Sequence, residues 1–190
     1  MTEKIITNGR FYFLRHGETT WNAARKTQGQ SDSPLSDLGR EQARCAGEAM
    51  ASLPIARIVA SPLQRARHTA EAVARNHDVP MTFDDELMEC HLGEMQEEPH
   101  GDWLIDYWNG DFDPPGGEHF TVFASRVWHA MHRAIALGPN TLIVAHGGLW
   151  KAAHAYTTVT PANLPMPNAL PLEVEIREGI WHNRVIGVSQ

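Results

Sequence analysis

The stretch "ARIVASPLQRARHTAEAVARNH" (Ala56–His77) changes character once, at Ser61-Pro62. Before that point Ile58 and Val59 sit in a short apolar run of strand length, and after it come mostly good helix formers. Ser61 reads as an N-cap and Pro62 as the first helical residue, so the spacing predicts a strand over Arg57–Ala60 and a helix to about Asn76. The same junction recurs on either side. "RFYFLR" (Arg10–Arg15) is an aromatic and apolar run stopped by Gly17, which suits a buried strand. "NTLIVAHGGLWKAAHAY" (Asn140–Tyr156) gives a strand over Thr141–Ala145, a glycine pair and another helix.

Between these junctions, "PLSDLGREQARCAGEAMASLP" (Pro34–Pro54) offers Ser36 as an N-cap. Leu38, Ala43, Ala46, Met50 and Leu53 follow at roughly helical spacing, which predicts a helix from about 36 to 52. "PMTF" (Pro80–Phe83) fits a short strand, a helix is expected from about 118 to 137, and the end alternates around Glu178-Gly179 as a hairpin does. Strands alternating with helices imply an α/β fold: a single-domain sandwich over residues 1–190, with a mainly parallel central sheet flanked by helices on both faces and right-handed crossovers. Ligands of such sheets gather at the carboxyl ends of the strands.

At 190 residues and 42% hydrophobic, the chain fits one domain with a full core. It holds no uncharged apolar run of membrane-spanning length and no secretory pattern at its start, so a soluble cytoplasmic protein is expected, with no membrane partner. Two cysteines, Cys45 and Cys90, make no framework and no zinc spacing. The net charge of -7 argues against nucleic acid, and its distribution is uneven. Thirteen of the 23 carboxylates fall between Asp78 and Glu118, while no Lys or Arg occurs between Asn76 and Ser125. One acidic, lid-like insertion at about 84–118 is thus set into an otherwise basic chain.

The three junctions bring Arg15, His16 and Gly17, then Ser61 and Arg65, then His146 with Gly147-Gly148 to one edge of the sheet. Two arginines and two histidines at strand ends describe an anion site. Guanidinium forks match phosphate oxygens, and the backbone N–H groups of a helix start at Gly147 add donors. A histidine among arginines is poorly placed to hold a metal cation, and no metal is expected. It is well placed to attack an electrophile that arrives as an anion, because the neighbouring cations neutralise the oxygens that would repel it. His129 and His132, three apart on a helix, lack an evident third ligand. Ser61 reads equally as a plain N-cap, and Asn22 as a turn or cap residue.

These residues also carry a resemblance. "RHGETTWN", "QGQSDSPLSDLGREQA", "SPLQRARHTAEA", "PPGGE" and "VAHGG" are similar, in order and spacing, to the histidine phosphatase superfamily, which includes the cofactor-dependent phosphoglycerate mutases. The resemblance implies His16 as the phosphorylated nucleophile, Arg15 and Arg65 as phosphate clamps, His146 as a further phosphate contact, and Asn22 at a phosphate-contacting position. It implies Glu89, in "LMECHLGE", as general acid and base, with Glu86, Glu94 and Glu97 as rivals nearby in sequence. The family often carries Gly-x-Trp-Glu-Gly next, where this chain has "GEMQE" (Gly93–Glu97).

Mutases of the family draw basic residues from this segment to hold a second anionic group. Here Glu89–Glu118 has none, so no second anion is expected to be gripped from that side. Its aromatics Trp103, Tyr107, Trp108 and Phe112 fit a lid over an uncharged or cationic leaving group, or equally a packing layer on the core. The phosphatase branch is therefore expected: a metal-independent enzyme, with no cofactor, acting on a small-molecule phosphomonoester, a homodimer being compatible with it. A phosphoglycerate mutase and a non-catalytic phosphate-binding protein are the alternatives.

Overall fold

Phe11, Tyr12, Phe13 and Leu14 are all buried, yet they point by turns into two different cores. Phe11 and Phe13 face one side of the first strand and Tyr12 and Leu14 the other, as the two-residue period of a strand requires. A strand apolar on both faces belongs in the middle of a covered sheet. The computed structural model, which describes residues 6–161 and 166–187, puts it there.

The strands are β1 (Gly9–Arg15), β2 (Arg57–Ala60), β3 (Met81–Phe83), β4 (Thr141–Ala145), β5 (Val159–Thr160), β6 (Pro171–Arg177) and β7 (Ile180–Val185). They form one sheet in the order β3-β2-β4-β1-β6-β7-β5. β1 to β4 run parallel, β6 pairs antiparallel with β1 and with β7, and β5 lies parallel to β7, so the expected mainly parallel sheet and terminal hairpin are both present.

The helices are α1 (Thr20–Ala23), α2 (Asp37–Met50), α3 (Gln64–Ala74), α4 (Asp102–Asn109), α5 (Phe120–Ala136) and α6 (Gly147–Ala153). Ala46 and Met50 of α2 and Ala70 and Val73 of α3 pack on Tyr12, Leu14, Ile58, Leu142 and Val144. Val127, Ala130 and Met131 of α5 and Leu149 of α6 cover the other face with Phe11, Phe13 and Ile143. Helices thus flank both faces.

Two details differ from the sequence reading. Ser61 does not cap α3, whose N-cap is Leu63; the N–H of Gln64 is met instead by the carboxylate of Asp32 at 2.8 Å. The aromatic segment, read as a lid or a packing layer with no helix assigned, holds α4, which ends at Gly110 with φ 82°, a left-handed conformation that glycine adopts without strain.

Candidate active site

The sheet order makes β2, β4 and β1 consecutive neighbours, and each ends beside the next. Arg15 pairs with Ala145 across β1 and β4, so the residues that follow them, His16 and His146, emerge side by side with ring centroids 5.2 Å apart. Ser61 follows β2 on the other flank, its N–H bonded to Val144 O at 2.9 Å. Arg15, His16, Asn22, Arg65, Glu89 and Gly147 all line one cavity of about 580 Å³, and His146 is buried behind it in contact with the His16 ring. The volume suits a small-molecule ligand.

His16 Nδ1 lies 2.7 Å from the carbonyl of Gly17, which can only accept. Nδ1 therefore carries the proton, and in the neutral ring Nε2 holds a bare lone pair. Burial, then the charges of Arg65 and Arg15, hold the His16 pKa well below the usual histidine value, with the Gly17 bond opposing weakly. The same causes act on His146: burial first, then Arg65, His16 and Arg15. His146 Nε2 is 2.8 Å from Ser61 Oγ, so this serine serves a histidine of the site and not a helix end.

Each arginine is held by its tip. Arg65 donates to Ser31 O at 2.8 Å and Gly29 O at 2.7 Å, and Arg15 donates to Met166 O at 2.6 Å. Their two Nε atoms and His146 Nδ1 are buried without a hydrogen-bond partner. A buried polar group left so costs about 1–3 kcal/mol, and three gathered at one place fit a site made for an anion with several acceptor oxygens. Burial also lowers the Arg65 pKa to about 10, which still leaves it charged at neutral pH. Gly147 is the close-approach position, since a Cβ there would stand 3.3 Å from Arg15 Nε. Asn22 is a cap residue that also lines the cavity: its Oδ1 accepts from Thr19 N in the capping box of α1 and from Asn168 Nδ2.

Glu89 is the only carboxylate among the described residues that line the cavity. Its Oε2 accepts from Gly148 N and its Oε1 from Cys90 N, both at 3.0 Å, which ties it to the start of α6. The rivals are elsewhere: Glu86 pairs with Arg133 at 2.7 Å, and Glu94 and Glu97 are exposed. Sequence reasoning missed what holds this loop. Arg126 of α5 donates to the carbonyls of Glu86, Met88 and Glu89 and to the Glu118 carboxylate, while Glu118 accepts from His91 N at 2.7 Å. Glu89 is thus gripped on both sides by one ion pair. An isolated arginine on a helix carries no local sign of that, although the "GGE" block was visible.

Apart from Glu89, no carboxylate of the acidic segment lines the cavity, and four of them pair with basic side chains elsewhere. Asp84 and Glu86 face Arg133, Glu118 faces Arg126 and Asp113 faces His119. Besides Glu89, the segment gives the cavity Cys90, Leu92, His100, Leu104 and Trp108. Glu89 is thus the one acid on the cavity wall among the described residues, where Lys26 and Lys151, from outside the segment, supply charge that the sequence reading had not assigned. Tyr107 is fully buried, 5.0 Å from Trp108 and 6.0 Å from Phe120 between ring centroids, so the aromatics do pack this segment on the core. Cys90 is buried with its thiol pKa pushed up, by burial first and Glu89 second, which makes it inert. Among the described residues no cluster of three or more His, Cys, Asp or Glu side chains could hold a metal ion, and no helix is long and apolar enough to cross a membrane.

Two histidines, two clamped arginines and one carboxylate thus surround a cavity at parallel strand ends, an arrangement whose charge suits an anion. The chain belongs to the histidine phosphatase superfamily (branch 1), whose model matches residues 11–187. It is 40% identical over 148 residues, 72% of this chain and 68% of the relative, to the "Probable phosphoglycerate mutase GpmB" of Salmonella choleraesuis. Among solved structures, a mycobacterial glucosyl-3-phosphoglycerate phosphatase is 29% identical, with a TM-score of 0.76 over 96% of this chain and 100% of that one. YhfR of Bacillus stearothermophilus is 28% identical, with a TM-score of 0.78 over 96% and 98% of the two chains.

Proposed function

We propose that the protein hydrolyses phosphomonoesters of small molecules through a phosphohistidine on His16. The observation that carries this reading is the His16 ring itself: neutral, with Nδ1 committed to Gly17 and Nε2 bare, in a cavity whose two arginines each keep a buried Nε unpartnered. In the first step Nε2 attacks phosphorus and the ester P–O bond breaks, Glu89 giving its proton to the departing oxygen. Arg15, Arg65 and His146 Nδ1 take the charge on the phosphoryl oxygens, and the Ser61 hydroxyl donating to Nε2 keeps the proton on Nδ1. In the second step a water loses its proton to Glu89 and its oxygen attacks phosphorus. The N–P bond breaks, and phosphate leaves.

The support from relatives is that a phosphatase is among the similar structures. A mutase is the second reading, favoured by the name of the 40% identical relative. Incubating the protein with phosphomonoesters in metal-free buffer tests the first: phosphate release that vanishes in His16→Ala, with an acid-labile phosphoprotein trapped in the wild type, is expected. Interconversion of phosphoglycerates without net release, dependent on trace bisphosphoglycerate, would overturn it in favour of the mutase.

A further inference from the structure

The turn over residues 28–31 lies between the Arg65 clamp and the loop of Glu89, and it is bonded to both. Ser31 N donates to Gln28 O at 2.9 Å, which closes the turn, and Gly29 takes φ 52° at its corner. On one side the carbonyls of Gly29 and Ser31 receive the two tips of Arg65, at 2.7 and 2.8 Å. On the other side Gln30 Nε2 donates to the carbonyl of Glu89 at 3.1 Å, and Gln30 N donates to Gln96 Oε1 at 2.8 Å. The packing is close, since a Cβ at Gly29 would stand 2.7 Å from Gln96 Oε1 and 3.0 Å from Cys90 O. Gln28 adds a third tie: its Oε1 accepts at 3.0 Å from Thr19 Oγ1, in the loop that leaves His16.

In the proposed reaction Arg65 holds the phosphoryl oxygens while Glu89 meets the departing oxygen, one bond away from phosphorus. The spacing of these two groups therefore matters, and a misplacement of about 1 Å costs about 100-fold in rate. Arg65 lies on α3 and Glu89 in the loop after β3, and among the described residues no hydrogen bond joins them directly. The turn is what joins them. Gln30 and Gln96 do not line the cavity, and both are neutral amides. Arg65 is likewise gripped by neutral carbonyls, so the turn fixes the guanidinium and leaves its charge for an anion.

We infer that turn 28–31 is the common mount of the phosphate clamp and the acid, and that Gln30 is the positioning residue that sets one against the other. The inference rests on the phosphatase reading for the roles of Arg65 and Glu89, whereas the mount itself is read without turnover. Gln96 belongs to the acidic segment, so this segment acts on the clamp through a neutral side chain that holds the turn from outside.

The test uses the full-length protein and Gln30→Met, which keeps the length of the side chain and removes its donor. Calorimetry with inorganic phosphate reads the clamp, and the amide proton of Gly148, which donates to Glu89 Oε2, reads the acid by its resonance. Gln30→Met should weaken phosphate binding about threefold or more and move the Gly148 proton upfield as its hydrogen bond lengthens. In turnover, benzyl phosphate should slow about tenfold more than 4-nitrophenyl phosphate, whose leaving group needs no proton, and this difference should disappear in a Glu89→Gln background. Gln96→Met loosens the same turn from the other side and should move both readouts in the same direction; it replaces Gln30→Met if that variant does not fold. A change confined to phosphate affinity, a change confined to the Gly148 resonance, or no change in either overturns the inference. Wild-type protein that releases phosphate from neither ester sinks the phosphatase reading, and the calorimetry and the resonance then still decide the mount.

Discussion

His16 keeps its proton on Nδ1 because a carbonyl sits 2.7 Å away, and it stays neutral because two guanidinium groups and burial oppose a second proton. Its folded pKa is held well below the usual histidine value, so on the proposed phosphohistidine route the ring should be ready to attack throughout the neutral range, and kcat/KM should show no acid limb at the ordinary histidine value. A limb at about 6.5 in a pH–rate profile would mean the ring is not shielded as described. At Glu89, replacement by Gln keeps the shape but removes the proton. Esters of high-pKa alcohols should slow by about 100-fold or more and aryl esters by much less, read from kcat across a leaving-group series. Gly148→Ala tests the same carboxylate from the other side. An added Cβ would overlap Glu89 Oε1 and press on the Trp108 ring at 2.9 Å, so kcat should fall about tenfold or more, with a smaller loss of stability from the displaced ring. Thermal unfolding measured beside activity separates the two. Arg15, His16, Arg65 and His146 were legible in sequence because each stands at a strand end or first helical turn with a glycine or serine context. Lys26 and Lys151 were not, since their meaning comes from what faces them across a cavity and no neighbour in sequence marks it.

The loop carrying Glu89 depends on α5 through one side chain. Arg126→Met should leave the Glu86 and Met88 carbonyls without a donor, and the Glu89 carbonyl and Glu118 carboxylate with only Gln30 Nε2 and His91 N respectively, lowering kcat about 10- to 100-fold with a smaller change in KM. Because Arg126 acts through Glu89, the loss should be largest for poor leaving groups and should nearly disappear in a Glu89→Gln background, which a double-mutant cycle reads directly. Additive losses would show that Arg126 does not act through Glu89. Arg126→Lys, which cannot reproduce the fork, should rescue only in part. At this scale the long helices and the four core strands were readable from period and capping. Helix α4 was hidden, as its eight residues are rich in aromatics of modest helix propensity and its fold rests on packing Tyr107 and Trp108 against α5. The α3 cap was misread for a comparable reason: Asp32 does by tertiary contact what Ser61 does in an isolated peptide.

Over the whole molecule, two histidines kept neutral in the interior make stability depend on pH. Between their lowered folded pKa and about 6.5, the unfolded chain binds protons that the folded protein refuses. Stability therefore falls as the solution is acidified through about 6.5, by up to about 1.4 kcal/mol per pH unit for each ring. Urea unfolding at pH 5.5 and 7.5 should show this loss, and it should shrink in His146→Gln. An undiminished loss in that variant would place the titration elsewhere. The architecture followed from three repeated strand-to-helix junctions, and the sheet order follows from burial: the strand apolar on both faces lies inside.

That order also sets when the site can exist. β1 is pinned between β4 and β6, both of which lie far along the chain after Arg15 and His16. During translation the nascent polypeptide thus carries its nucleophile without the neighbours that orient it. A product terminated before β4 should be inert toward phosphate esters, so any such reactivity is withheld until β4 and β6 have been made.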